Sequence, residues 1–173
     1  MDTEFLEKIT EADWDRMAAV SGIDRVELKR KIKEGLQHYE PSDPPQLTIT
    51  RPPVEEFSTA QPKPFEFELG LSEIVALKIH IVVHIRSAED FRIEFRRTIL
   101  LFSIEVDTHE IIFDQDHLKE TFRTDIPLIC EGSISVGWRF VGKQLCSTLA
   151  GHFSAFGLPP LKIDTDLLCI TLP

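Results

Sequence analysis

Val141-Gly142-Lys143-Gln144-Leu145-Cys146-Ser147-Thr148-Leu149-Ala150-Gly151-His152-Phe153-Ser154-Ala155-Phe156 runs into Gly157-Leu158-Pro159-Pro160-Leu161-Lys162-Ile163, and the reading of this stretch decides the fold. Val141, Leu145, Leu149, His152/Phe153 and Phe156 recur at helical spacing, which predicts a helix. Gly157 stands where a left-handed helix stop belongs, and Pro159-Pro160 forbid continuation. Gly142, Cys146 and Ala150 form a strip of small residues along that helix. Such a strip suits close contact with a sheet or with a second copy of the chain.

Working outward, Glu73 to Asp107 alternate as one long pair of strands. Leu77, Ile79, Ile81, Val83 and Ile85 share one side, with Lys78, His80, His84 and Arg86 on the other. Ser87-Ala88-Glu89-Asp90 makes the turn, and Phe91, Ile93 and Phe95 continue the apolar face opposite Arg92, Glu94 and Arg96. The phase then slips, because Leu100, Phe102, Ile104 and Val106 occupy even positions. A bulge near Arg97-Thr98-Ile99 is needed to keep one core face. Phe65-Glu66-Phe67-Glu68-Leu69 reads as an earlier strand, Leu47-Thr48-Ile49 as a short edge strand, and Glu110-Ile111-Ile112-Phe113 as a further short one. The expected fold class is therefore α+β: a long four-stranded antiparallel sheet covered by one main helix, with an N-terminal helical hairpin.

That hairpin occupies residues 1–39. Thr10-Glu11-Ala12-Asp13 and Asp24-Arg25-Val26-Glu27 resemble capping boxes, and Gly22 is a stop between them. Leu28, Ile32, Leu36 and Tyr39 fall on one stripe, and Phe5, Leu6, Ile9, Trp14 and Met17 supply a facing one. Two helices this short do not hold together alone, so the unit is expected to dock on the body or on a partner. Residues 40–64 hold seven prolines and read as linker, edge strand and crossover, and residues 65–173 as the sheet and its helix.

Net charge is −10, from 29 acidic and 19 basic residues. This argues against nucleic acid as the main partner, since phosphate binding needs a cationic footprint. No apolar run approaches the roughly 20 residues of a spanning helix, so no membrane insertion is expected. The acidic start, Met1-Asp2-Thr3-Glu4, is unlike a signal peptide. Cys130, Cys146 and Cys169 show neither zinc spacing nor a disulfide framework. Three free thiols, with Cys146 and Cys169 as small core residues, fit a reducing, cytoplasmic setting.

The chain carries no P-loop, dinucleotide turn or Gly-x-Ser-x-Gly, so neither catalysis nor a cofactor is expected. His80 and His84 lie on one strand face about 13 Å apart, too far to share a metal. Asp107, His109, Asp114, Asp116 and His117 are denser but lack a calcium-loop frame, and no metal is assigned to them. The aromatic inventory points elsewhere, with 12 Phe against 1 Tyr. Phe57 sits in the Pro-rich crossover with poor means of burying itself, so it must cover the sheet or helix or line a site, and apolar sites of that kind bind hydrophobic ligands or extended peptides.

Taken in order, the short strand Leu47-Thr48-Ile49, the crossover with Phe57, the strand Phe65 to Leu69, the hairpin Ile74 to Val106 and the exit Gly157-Leu158-Pro159-Pro160-Leu161 resemble the SecB-like export chaperones over about residues 46–170. The resemblance implies a tetramer built as a dimer of dimers. It also implies ATP-independent holding of unfolded or pre-export polypeptide, or of one dedicated client such as an antitoxin. Groove residues carried over are Phe57, Phe65, Phe67, Trp138, Phe140 and Phe153, and Gly142, Cys146 and Ala150 are assigned to the oligomer interface. Residues 1–39 and the basic face Lys78, His80, His84 and Arg86 depart from the family pattern, which puts docking to an export motor in doubt. A carrier of a hydrophobic small molecule or lipid is the alternative, and residues 1–39 are expected to plug the client groove near Phe57.

Overall fold

A computed structural model describes residues 3–39, 48–50, 64–70, 74–126, 130–155 and 160–172. After a short 3-10 turn at Glu4–Lys8 come α1 (Glu11–Ser21) and α2 (Arg25–Gln37). Their ends fall at the expected residues. Thr10 Oγ1 accepts from the Asp13 N–H, and the Asp24 carboxylate accepts from the Val26 N–H. Gly22, at φ +69°, ends α1 with its N–H donating to the Ala18 carbonyl, a conformation glycine adopts without steric cost.

Nine strands follow: β1 (Thr48–Thr50), β2 (Pro64–Gly70), β3 (Val75–Ser87), β4 (Asp90–Leu101), β5 (Ile104–Asp114), β6 (Lys119–Ile126), β7 (Cys130–Val141), β8 (Gln144–Ala155) and β9 (Leu161–Thr171). They make two antiparallel meanders, a five-stranded sheet ordered β1-β2-β3-β4-β5 and a four-stranded sheet ordered β6-β7-β8-β9. The chain crosses between them at Asp114–His117, where Asp114 Oδ1 accepts from the N–H groups of Asp116 and His117.

The expected main helix is absent, so the sheet-plus-one-helix fold class is overturned. Val141 ends β7, Gly142 at φ +61° opens a two-residue turn, and Gln144–Ala155 is β8. The physical reason lies in the spacing. Leu145, Leu149 and Phe153 are four apart, which fits a helical stripe and also one face of a strand. Ser147 and Gly151 lie between them on that face, so the two-residue period does not show as apolar alternation. Two of the glycines are required by the pairing itself. A Cβ at Gly132 would overlap the His152 carbonyl oxygen, and one at Gly151 would overlap that of Ser133. There β7 and β8 approach too closely for a side chain.

A second correction concerns the long two-strand pattern. The expected bulge within the strand is not formed: β4 keeps one phase through buried Arg97, Ile99 and Leu101, and the register irregularity beside Ile99 and Leu100 leaves its extra residue, Val106, on β5. The even-phase run is instead a turn and the start of a new strand: Phe102 (φ +49°) and Ser103 (φ +65°) both take the left-handed conformation of a type I′ hairpin. Ile104 to Val106 thus begin a third strand, β5.

The sheets meet face to face. Phe95 of β4 stacks on Phe122 of β6 with centroids 5.5 Å apart, and Phe113 of β5 faces Trp138 of β7 at 6.2 Å. Leu77, Ile79, Ile81 and Ile93 of the first sheet and Val136, Leu149 and Ile163 of the second complete this core. Leu6, Trp14, Met17, Leu28, Ile32 and Leu36 of the N-terminal unit belong to the same apolar cluster. α1 packs against β5, and α2 is seated through Gly35, where an added Cβ would come 2.8 Å from the Phe102 ring. Among the described residues no helix is long and apolar enough to cross a membrane.

Cys146 and Cys169 are not free. They stand directly opposite each other on β8 and β9, with Cα atoms 4.1 Å apart, and form a disulfide. Their wide spacing in sequence hid the pair, because only the β8–β9 register brings them together. The disulfide also removes the thiol argument for a reducing compartment.

Candidate functional site

The outer face of the first sheet is built from the even-numbered residues of β3, β4 and β5. Strand alternation turns Lys78, His80, Val82 and His84 outward from β3, and Arg92, Glu94, Arg96 and Thr98 from β4. Registration then aligns them in cross-strand rows: Glu66–His80–Arg96–Glu110, Glu68–Lys78–Thr98–Thr108, and Val82–Glu94–Ile112. Such directly opposed pairs are close enough to interact.

Along this face runs a groove. At one end α1 closes over it, where Ala19 and Val20 border a cleft of about 490 Å³ floored by Lys78, His80, Thr98 and Thr108. At the other end it opens past Val82, Arg92, Glu94 and Ile112. His80, Arg96 and Glu110 line both parts.

Arg96 lies 3.6 Å from Glu110, Arg92 lies 3.1 Å from Glu94, and His84 Nε2 is 3.9 Å from the other oxygen of Glu94. Lys78 and His80 make no ion pair among the described residues. Between the charges sits Ile112, 46% exposed, beside half-buried Val82. The groove therefore offers two aliphatic contacts framed by charges of both signs. Hydrogen bonds from Arg30 hold the Glu27 carboxyl below its ordinary value of 4.5, and Glu27 and Glu34 together push Arg30 up.

The residues expected in a client groove are dispersed. Phe57 lies outside the described residues. Phe67, Trp138 and Phe153 are buried between the sheets, and Phe65 is half-buried on β2. Phe140 is 44% exposed at the end of β7, edge-on to Phe91 at 6.0 Å. Of the expected interface strip, Gly142 is in a turn, Cys146 is in the disulfide, and Ala150 is exposed on the outer face of β8. They do not share a helix face.

The acidic cluster is also dispersed into structural contacts. Asp107 accepts from buried Arg97 at 2.8 Å, and His117 lies 2.8 Å from Glu120. His109 packs edge-on against Phe122. Among the described residues no three His, Cys, Asp or Glu side chains are grouped to hold a metal.

Sequence reasoning had the polar faces of β3 and β4 but read them as plain solvent surface. It missed the contribution of β5. The signal was the run Ile111-Ile112-Phe113, in which strict alternation leaves Ile112 on the polar side.

Comparison with known protein families, with curated proteins and with solved structures finds no match. The resemblance to SecB-like chaperones thus has no family match behind it, and the helix on which it leaned is strand β8.

Proposed function

We propose that the protein is a non-catalytic polypeptide-binding module that holds extended segments, without nucleotide, along the outer face of β3–β5. The observation that carries this reading is the pair of adjoining clefts on this face, where Ile112 is exposed and Val82 half-buried between charges of both signs. Polar pairs around an apolar strip fit a chain with apolar residues flanked by charged ones. A net charge of −10 keeps a protein with exposed apolar contacts soluble while it holds a client. The alternative, a carrier with its ligand enclosed between the sheets, is disfavoured. Among the described residues Phe95, Phe113, Phe122 and Trp138 fill that contact.

The test is suppression of aggregation of a chemically unfolded client in the absence of nucleotide. The wild-type chain should suppress it near stoichiometric ratio. Ile112→Glu should weaken suppression roughly fivefold, the loss expected for one half-exposed isoleucine contact of about 1 kcal/mol. Thr148→Glu, on the outer face of β8, should leave it unchanged. Failure of the wild-type chain at several-fold excess over varied clients, or equal performance of Ile112→Glu, would reject the reading.

A further inference from the structure

We infer that the Cys146–Cys169 pair is a thiol–disulfide exchange site, and that reduction there by a thiol or dithiol compound loosens strand β9 from β8. The inference stands on the second sheet and is independent of the groove reading.

Three observations carry it. First, Cys169 lies on the outer face of an edge strand and is exposed, whereas Cys146 is 5% exposed. β9 pairs with β8 and with no other strand among the described residues. The line from Cys146 through Cys169 therefore leads off the sheet edge, which is the path an attacking thiolate needs. Second, the two residues are directly opposed in the ladder, so the register that runs from Gln144–Thr171 to Phe153–Leu161 keeps both thiols within reach after reduction. Reoxidation by a disulfide reagent then ends in an intramolecular step: one cysteine takes up half of the reagent as a mixed disulfide, and the other displaces it as reagent thiolate. Third, the disulfide sits beside the irregular part of the ladder. Ser147 pairs with Leu168 but Thr148 pairs with Asp166, so Leu167 is the extra residue. The disulfide bonds the next outward pair beyond that break in register, where the ladder is weakest.

The chemistry balances with the reagent alone. A thiolate attacks Cys169 Sγ, the S–S bond breaks, and Cys146 leaves as a thiolate that takes a proton from water. A mixed disulfide remains on Cys169. A second reagent thiolate attacks the reagent sulfur of that mixed disulfide, leaves as reagent disulfide, and releases Cys169, which is protonated in turn. Two electrons pass from the two reagent thiols to the protein. With the cross-link gone, β9 is held by its hydrogen bonds and by Ile163, Leu167 and Ile170. As an edge strand it can open without disturbing β3 or β4.

The experiment combines thiol counting with hydrogen exchange on the full chain, oxidised with glutathione disulfide or reduced with dithiothreitol. With two of three cysteines bonded, one thiol should react in the denatured oxidised protein and three after reduction. Amides of Leu161–Thr171 should exchange roughly tenfold faster or more on reduction, with those of β3 and β4 unchanged. A Cys146→Ser/Cys169→Ser chain should match the reduced wild type under oxidising conditions. Three reactive thiols in the oxidised protein would overturn the inference. So would equal exchange of β9 in both redox states.

Discussion

Arg97 is the residue at which the two sheets share a charge. It lies on the inward side of β4, 4% exposed, with its guanidinium 5.7 Å from the centre of the Phe122 ring across the interface. One nitrogen donates to Asp107 at 2.8 Å, while Nε has no hydrogen-bond partner among the described residues. The buried pair is therefore only partly satisfied. Removing one member leaves the other uncompensated, whereas replacing both with apolar side chains removes two desolvation costs together. Arg97→Met alone should lower stability by about 2–3 kcal/mol, and Arg97→Met/Asp107→Leu should recover most of that loss. Denaturant midpoints of the two variants check this, and a double variant less stable than the single one contradicts it. Sequence alone placed Arg97 in a bulge and gave it no partner. The partner belongs to β5, a strand hidden by the unrecognised turn at Phe102-Ser103.

At the scale of elements, local chemistry was legible and pairing was not. Both helices start at the residues that their side chains marked, and α1 stops at Gly22 as read, because a cap is decided within about four residues. The helix expected at Val141–Phe156 failed because its apolar period, four, belongs equally to a strand, and tertiary pairing with β7 and β9 decided between them. The seating of α2 offers a test in which two effects oppose each other. Gly35 is in the last turn of α2, where alanine is the better former by up to about 1 kcal/mol. Against that, a Cβ there meets the Phe102 ring, and overpacking of this kind costs about 1–3 kcal/mol. Packing should win. Gly35→Ala is expected to lower stability by about 1 kcal/mol and to speed exchange in α2. An increase in stability would mean that the ring does not seat the helical hairpin.

For the whole molecule, the two-sheet arrangement follows from inward aromatics that no single strand reveals: Phe95 and Phe113 from one meander, Phe122 and Trp138 from the other. With those aromatics in the core, the proposed binding surface is the outer face of β3–β5, bounded by α1. The N-terminal unit was expected to plug a groove near Phe57, which lies outside the described residues; at the β3–β5 groove α1 forms a border at Ala19 and Val20 and leaves Ile112 open. The central claim is that an extended polypeptide lies across this face. Placing a photo-crosslinking amino acid at position 112, and in a second chain at position 148 on the opposite outer face, tests it directly with an unfolded client. Cross-linking from position 112 that is competed by unlabelled client, with background levels from position 148, is the predicted result. Equal cross-linking from the two positions, or none from 112, would contradict it.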